Sequence, residues 1–104
     1  MTGQVLTEVS AVVAAEREAD LVAAYRELVA RPFPDGPVRS ELLSGQDGHW
    51  RIQTLWQDRA ALDAMRAAYP GGPPAPRLFR EVGAAPALAL LDVKVHSVAP
   101  GEPS

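Results

Sequence analysis

The segment Trp50–Pro70 changes its periodicity half-way along, and this change constrains the fold more than any other feature of the chain. Its first part, WRIQTLW, alternates as a half-buried strand does, with one face formed by Trp50, Ile52, Thr54 and Trp56. Its second part, RAALDAMRAAY, repeats at helical spacing, with an apolar stripe of Leu62, Met65 and Tyr69. A strand followed at once by an amphipathic helix predicts that the two pack on each other. Asp58 lies between them, where a helix N-cap is expected.

The same rules predict three more strands and two more helices. QVLTEVSAVV alternates as a strand, and AAEREADLVAAYRELVA has the spacing of an amphipathic helix, which Pro32 and Pro34 stop. VRSELLSG is a strand joined to WRIQTLW by a hairpin turn at Asp47-Gly48. APRLFREVGAAP is a short helix ending at Gly83, and ALALLDVKVHSVA is the last strand.

The resulting order is β-α-β-β-α-(short α)-β, which indicates an α+β protein. We expect the ferredoxin-like split βαβ sandwich, an antiparallel sheet with its helices on one face. The length favours one domain over residues 1–104, with a core at about 5–98 and a flexible tail at 99–104.

Sorting each strand by alternation separates two sheet faces. We expect the apolar face to carry the helices, and in the last strand we assign Leu91, Val93 and Val95 to it. The other face mixes leucines with opposite charges, so cross-strand pairs such as Glu8 or Glu41 with Arg39, Arg51 or Lys94 are expected there, beside His96. We predict a homodimer through this polar face; a solvated face is the alternative.

Composition excludes several classes of function. The chain has no cysteine, which rules out disulfides and thiolate chemistry, and its two isolated histidines do not suggest a metal site. The basic residues are scattered and the net charge is −3, so no nucleic acid is expected as a partner. No apolar run reaches the ~20 residues of a membrane span, and no export signal is visible. A cytoplasmic protein without membrane contact is therefore expected.

The segments IQTLWQDRAALDAM and LFREVGAAPALALLDV resemble the antibiotic biosynthesis monooxygenase family, the dimeric α+β barrels. The resemblance covers about Val5 to Val98. It implies a homodimer whose sheets pack face to face, with a cavity between the sheet and helices of each subunit. Some relatives oxygenate anthrone-like aromatic intermediates with O2 and no cofactor, others degrade haem, and many have no known activity.

Two departures weigh against haem. Met65 stands where many members have a His, and QVLTEV lacks the Asn that the haem-degrading branch uses near the start of its first strand. We therefore expect no cofactor and no metal.

Cofactor-free oxygenation needs a flat apolar slot and hydrogen-bond donors for an oxyanion. Trp56 stands at the family's Trp position, so we predict that its indole N–H contacts a substrate oxygen as the catalytic group; a simple core Trp is the alternative. The predicted aromatic ligand would be bound by side chains that suit planar rings or hydrogen bonds, although each is equally typical of a core: Trp50, Thr54, Tyr25, Met65, Tyr69, Phe79 and Thr7. Ser40 and Ser97 are further polar groups assigned to that face.

Two functional hypotheses follow. One is a cofactor-independent monooxygenase that oxidises an electron-rich aromatic, polyketide-like or quinol molecule. The other is a non-catalytic small-molecule-binding or accessory protein on the same scaffold. The predicted slot has aromatic walls but no strong base, which weakens the first hypothesis.

Overall fold

The computed structural model describes residues 3–31 and 37–97. Its strands are β1 (Val5–Val12), β2 (Pro37–Ser44), β3 (His49–Trp56) and β4 (Ala87–Asp92). Its helices are α1 (Glu18–Ala30), which a 3-10 turn at Ala15–Arg17 precedes, α2 (Arg59–Ala68) and α3 (Pro74–Glu81). The predicted helix stop at Pro32 and Pro34 and the predicted tail at 99–104 lie outside the described residues.

The four strands form one sheet in the order β2-β3-β1-β4, and every neighbouring pair is antiparallel. β3 lies between β1 and β2, which α1 connects, and this is the split βαβ arrangement. The predicted ferredoxin-like α+β fold is therefore confirmed.

Local chemistry fixes both junctions of β3. At its start, Asp47 and Gly48 have φ of 57° and 77°, and the His49 N–H donates to the Gln46 carbonyl at 3.1 Å, as in a type I′ hairpin turn. A Cβ on Gly48 would stand 2.8 Å from the Val13 carbonyl oxygen, so glycine is required there. At its end, Asp58 Oδ1 accepts from the Ala61 N–H at 2.8 Å and caps α2. Both predictions are confirmed.

The core between sheet and helices consists of two separate clusters. The main cluster joins β1 and β3 to α1 and α3 and contains Val9, Ala11, Val13, Leu21, Tyr25, Ile52, Leu78, Phe79 and Val82. The small cluster joins the same strands to α2 and contains Val5, Trp56 and Leu62. Both Trp56 and Ile52 face the helices, as their alternation predicts.

The faces assigned to the last strand were wrong. Val9 pairs with Leu88 and Thr7 with Leu90, so these two leucines share the helix-side face and Leu91 lies on the other. The continuous apolar run ALALL contains no alternation from which the register could be read. β4 also ends at Asp92, so the positions assigned to sheet faces beyond it lie outside the strand: Val93, Lys94, Val95, His96 and Ser97.

The sheet face away from the helices carries one of the expected cross-strand charge pairs, between Glu8 and Arg51. Glu8 accepts from Gln53 Nε2 at 2.9 Å and lies 3.5 Å from Arg51 Nη1 on the adjacent strand. The pair of Arg39 and Glu41 was predicted across strands, but both residues lie in β2, two positions apart on the same face, with 3.3 Å between Arg39 Nε and Glu41 Oε1. We call this surface the open face. β4, at the edge of the sheet, is solvent-exposed along its whole length. No helix within the described ranges is long and apolar enough to cross a membrane.

Candidate functional site

A pocket lies in the gap between the main and small clusters. Its floor is the helix side of the sheet, and its walls come from α1, α2 and the first turn of α3. Tyr25 and Ile52 of the main cluster line one side, and Trp56, Leu62 and Met65 line the other. The helices cover the sheet without filling the space between α1 and α2, which leaves an apolar cleft over the middle of the sheet.

The pocket is narrow inside and open at its edge. Its volume is about 70 Å³. A water molecule needs roughly 10–15 Å³ of such space, so the interior has room for several water molecules and no more. A polycyclic ligand must therefore extend through the open edge or displace α2.

A chain of three hydroxyls crosses the floor of the pocket. Tyr25 donates to Ser40 Oγ at 2.9 Å, and Ser40 Oγ lies 3.2 Å from Thr54 Oγ1. The chain forms because Ser40 and Thr54 are direct cross-strand partners on β2 and β3, and α1 places Tyr25 above them. The three hydroxyl groups carry three hydrogens but form only two hydrogen bonds with one another. Whichever of Ser40 and Thr54 donates to the other, one hydrogen of that pair has no acceptor among the described residues.

Trp56 is held by a hydrogen bond inside the protein. Its indole N–H donates to Thr7 Oγ1 at 2.9 Å, across the β1–β3 pair, and the Thr7 hydroxyl is 3.5 Å from the Thr54 carbonyl oxygen. Only 4% of the Trp56 surface is exposed. The ring therefore forms a fixed wall, and its N–H has a partner before any ligand arrives.

Prolines and the end of α2 form the edge of the pocket. Four of the lining residues are proline: Pro37, Pro73 and Pro74, which are half-buried, and Pro76, which is buried in α3. Tyr69, half-buried, and Arg66, exposed, complete this edge at the end of α2.

The structure brings together most of the residues predicted to bind a ligand. Trp56 and five of the seven predicted binding residues line the pocket, namely Thr7, Tyr25, Thr54, Met65 and Tyr69. Two do not. The Trp50 indole N–H donates to Glu18 Oε2 at 2.7 Å, and this side chain borders a separate, more open groove between α1 and β2. Phe79 is fully buried in the main cluster.

Sequence reasoning missed Arg66, although its position carried a signal. Arg66 follows Leu62 by four residues and precedes Tyr69 by three, so helical spacing puts it beside the apolar stripe that faces the sheet. The prolines of the lining carried no such signal, because their common position around one pocket depends on the tertiary fold.

These features define an α+β protein with a narrow apolar cleft between its sheet and helices. Compared by sequence, the chain matches no family model and no curated protein. Compared by structure, it shares its fold with antibiotic biosynthesis monooxygenases, which confirms the resemblance seen in the sequence at the level of fold.

Three solved structures illustrate this similarity. A variant of SnoaB, a cofactor-independent oxygenase from Streptomyces nogalater, has a TM-score of 0.70 and 20% identity over 90% of this chain and 96% of its own. A candidate antibiotic biosynthesis monooxygenase from Caulobacter crescentus has a TM-score of 0.67 and 17% identity, covering 88% of this chain and 91% of its own. Another from Deinococcus radiodurans has a TM-score of 0.66 and 19% identity, covering 95% and 99%. At such identities the fold is shared, and the activity must be argued from the site.

Proposed function

We propose that this chain is a cofactor-independent monooxygenase that oxidises an electron-rich aromatic molecule, of the polyketide-like or quinol kind, with O2. The observation that carries the proposal is the pocket itself, in which apolar walls stand over a floor with one unused hydroxyl donor. The structural similarity to SnoaB supports the same reaction class.

The reaction needs no redox group from the protein, because the substrate itself supplies the electrons that reduce O2. An anthrone loses a proton from its CH2 group, and the resulting enolate passes one electron to O2. The two radicals then combine into a hydroperoxide, which loses water to give the quinone. Anthrone and O2 thus yield anthraquinone and water, with one oxygen atom retained and no external reductant.

The pocket residues would act on the first step. The spare hydrogen of the Ser40–Thr54 pair would donate to the substrate oxygen, on which negative charge develops as the proton leaves. The Tyr25 hydroxyl donates to Ser40 and so polarises this donor. We propose Trp56 as the wall against which the ring system lies, fixed by Thr7. Its predicted direct hydrogen bond to the substrate would require the indole N–H to exchange partners.

Oxygen uptake with an anthrone tests this function. The purified protein should consume O2 and form the quinone faster than the spontaneous reaction, and Trp56→Phe should reduce that rate. Trp50→Phe is the matched control, because it removes the other tryptophan outside the pocket and should leave the rate unchanged. Ser40→Ala should reduce the rate about ten-fold or more, the scale of a lost oxyanion donor being roughly 10²-fold in a well-formed site.

The second hypothesis, a non-catalytic binding or accessory protein, has one observation in its favour. Within the described part of the chain, no carboxylate or imidazole lines the pocket to accept the substrate proton. If uptake equals the spontaneous rate while the ligand still binds saturably, this second function replaces the first.

We further propose that the protein is a homodimer through the open face. The charge pairs there are accompanied by exposed leucines, and Leu91 on β4 is 48% exposed. Leu91→Glu should convert the dimer to monomers in light scattering after size-exclusion chromatography. Leu88→Glu is the control, because Leu88 is 59% exposed on the helix side of the same strand and should leave the dimer intact. A monomeric unmodified protein would contradict the proposal.

A further inference from the structure

Arg66 gives the pocket lining a positive charge that no other lining residue offsets. Within the described residues, the pocket lining contains no Asp or Glu, and Arg66 is its only charged side chain. The chain as a whole has more acidic than basic residues, 13 against 10. The lining therefore has the opposite sign to the protein's net charge.

The Arg66 guanidinium forms no ion pair within the described residues, and it differs from the other unpaired arginines in lining the pocket. Four arginines form ion pairs with carboxylates, at Arg17, Arg39, Arg51 and Arg59. Arg66 forms none with any residue that the structure describes. Asp63, one turn earlier on α2, is 3.5 Å from Arg59. The five N–H donors of Arg66 thus remain available at the edge of the pocket.

The floor of the pocket offers a second donor and no second charge. One hydroxyl hydrogen of Ser40 or Thr54 is unused, while the Tyr25 hydroxyl and the Trp56 N–H are already donated. A ligand that satisfies both positions has an acceptor oxygen on its inner end and an anionic group on its outer end. Between them it must be flat and apolar, because the intervening walls are aromatic and aliphatic.

We infer that the pocket takes an aromatic acid, with a ring oxygen at the Ser40–Thr54 pair and a carboxylate bound by Arg66. This deepens the proposed function and rests on it, since it names the class of aromatic molecule that the same pocket would bind. Arg66 is the residue that sets the preference for an acid over the corresponding neutral molecule. A guanidinium suits this role because it binds a carboxylate through two parallel hydrogen bonds.

Two probes that differ only in the carboxylate test the inference by calorimetry: 6-hydroxy-2-naphthoate and 2-naphthol. The acid should bind about five-fold more tightly than the alcohol, which is the upper range for an ion pair at an exposed site. Arg66→Gln should remove this preference and leave the affinity for 2-naphthol within about two-fold. Arg66→Lys should retain part of it.

Arg80→Gln is the matched control for charge and helix position. Arg80 is an exposed arginine in the last turn of α3, as Arg66 is in the last turn of α2, and it does not line the pocket. This variant should keep the full preference for the acid. The preference of the unmodified protein should also shrink as salt is raised from 20 to about 500 mM, where charges separated by a few ångströms of solvent are screened.

The outcomes separate the two proposals. Equal binding of both probes by the unmodified protein, or an acid preference that survives Arg66→Gln, overturns the assignment to Arg66 and leaves the aromatic pocket standing. Binding of neither probe overturns the aromatic pocket, and the inference with it. Oxygen uptake plays no part in this measurement, so a protein that binds the acid without oxidising anything still supports the inference.

Discussion

The two core clusters contrast in size and in what borders them. The main cluster has nine buried residues and is held by two helices, whereas the small cluster has three and is held by α2 alone. The pocket lies between them and takes part of its wall from each. The two ends of the sheet therefore differ in how their helices pack. Helices α1 and α3 bury most of the core side chains, whereas α2 buries few and borders the pocket.

The sharpest test of this comparison replaces one leucine in each cluster. Leu21 and Leu62 are both fully buried helical residues, with 0% exposure. Leu21→Ala should lower the free energy of unfolding by about 4 kcal/mol, because the cavity it leaves is enclosed by the packed main cluster. Leu62→Ala should cost about 2 kcal/mol, since the space it leaves opens into an existing pocket and α2 can move to fill it.

Urea denaturation followed by circular dichroism measures both values under identical conditions. Equal losses for the two variants would show that the small cluster is packed as tightly as the main one. A larger loss of unfolding free energy for Leu62→Ala would show that the small cluster, and not the main cluster, contributes more to stability.

A smaller effect is expected where the small cluster meets the pocket floor. Trp56→Phe keeps a large ring but removes the indole N–H that donates to Thr7 Oγ1. It should lower the free energy of unfolding by about 1.5 kcal/mol, partly because the smaller ring packs less well. Thr7→Val removes the other partner. In a double-mutant cycle the two changes should couple by about 1 kcal/mol, the usual net value of one hydrogen bond. Additive losses would mean that this bond does not contribute to the stability of the small cluster.

The smallest effect should come from the N-cap of α2. Asp58→Ala removes the acceptor for the Ala61 N–H and should cost about 1 kcal/mol, while Asp58→Asn should restore most of it. Because α2 contacts the sheet mainly through the small cluster, amide hydrogen exchange should accelerate first in α2 and little in α1. Uniform acceleration across both helices would show that the two ends of the molecule unfold as one unit.

The sequence predicted those parts of the fold where two signals coincide. β3 and α2 have opposite periodicities separated by a capping residue, and the hairpin has the Asp-Gly pair that a type I′ turn requires. The last strand was misassigned because ALALL is apolar at every position, so only its pairing with β1 reveals which side chains face the helices. Pattern alone supplied no such information.

The site was predicted less completely, for a different physical reason. An aromatic side chain has the same sequence signature whether it fills a core or lines a cleft, so the pattern could not show that Phe79 is buried in the main cluster while Tyr69 lines the pocket. Arg66 was passed over because a charge beside an apolar stripe usually points to solvent. The role of Arg66 depends on the side chains around it, and helical spacing does not show which residues of other elements lie nearby.

The proline-rich edge of the pocket has a consequence for the kinetics of ligand entry. Each of Pro37, Pro73 and Pro74 has its φ angle fixed by its own ring, so this edge has few backbone conformations to lose when a ligand arrives. Binding should therefore carry a small entropic penalty from loop ordering. The observed rate constant for association should rise linearly with ligand concentration. A plateau would indicate a slow closing step, which is not expected of a pocket whose entrance is already formed.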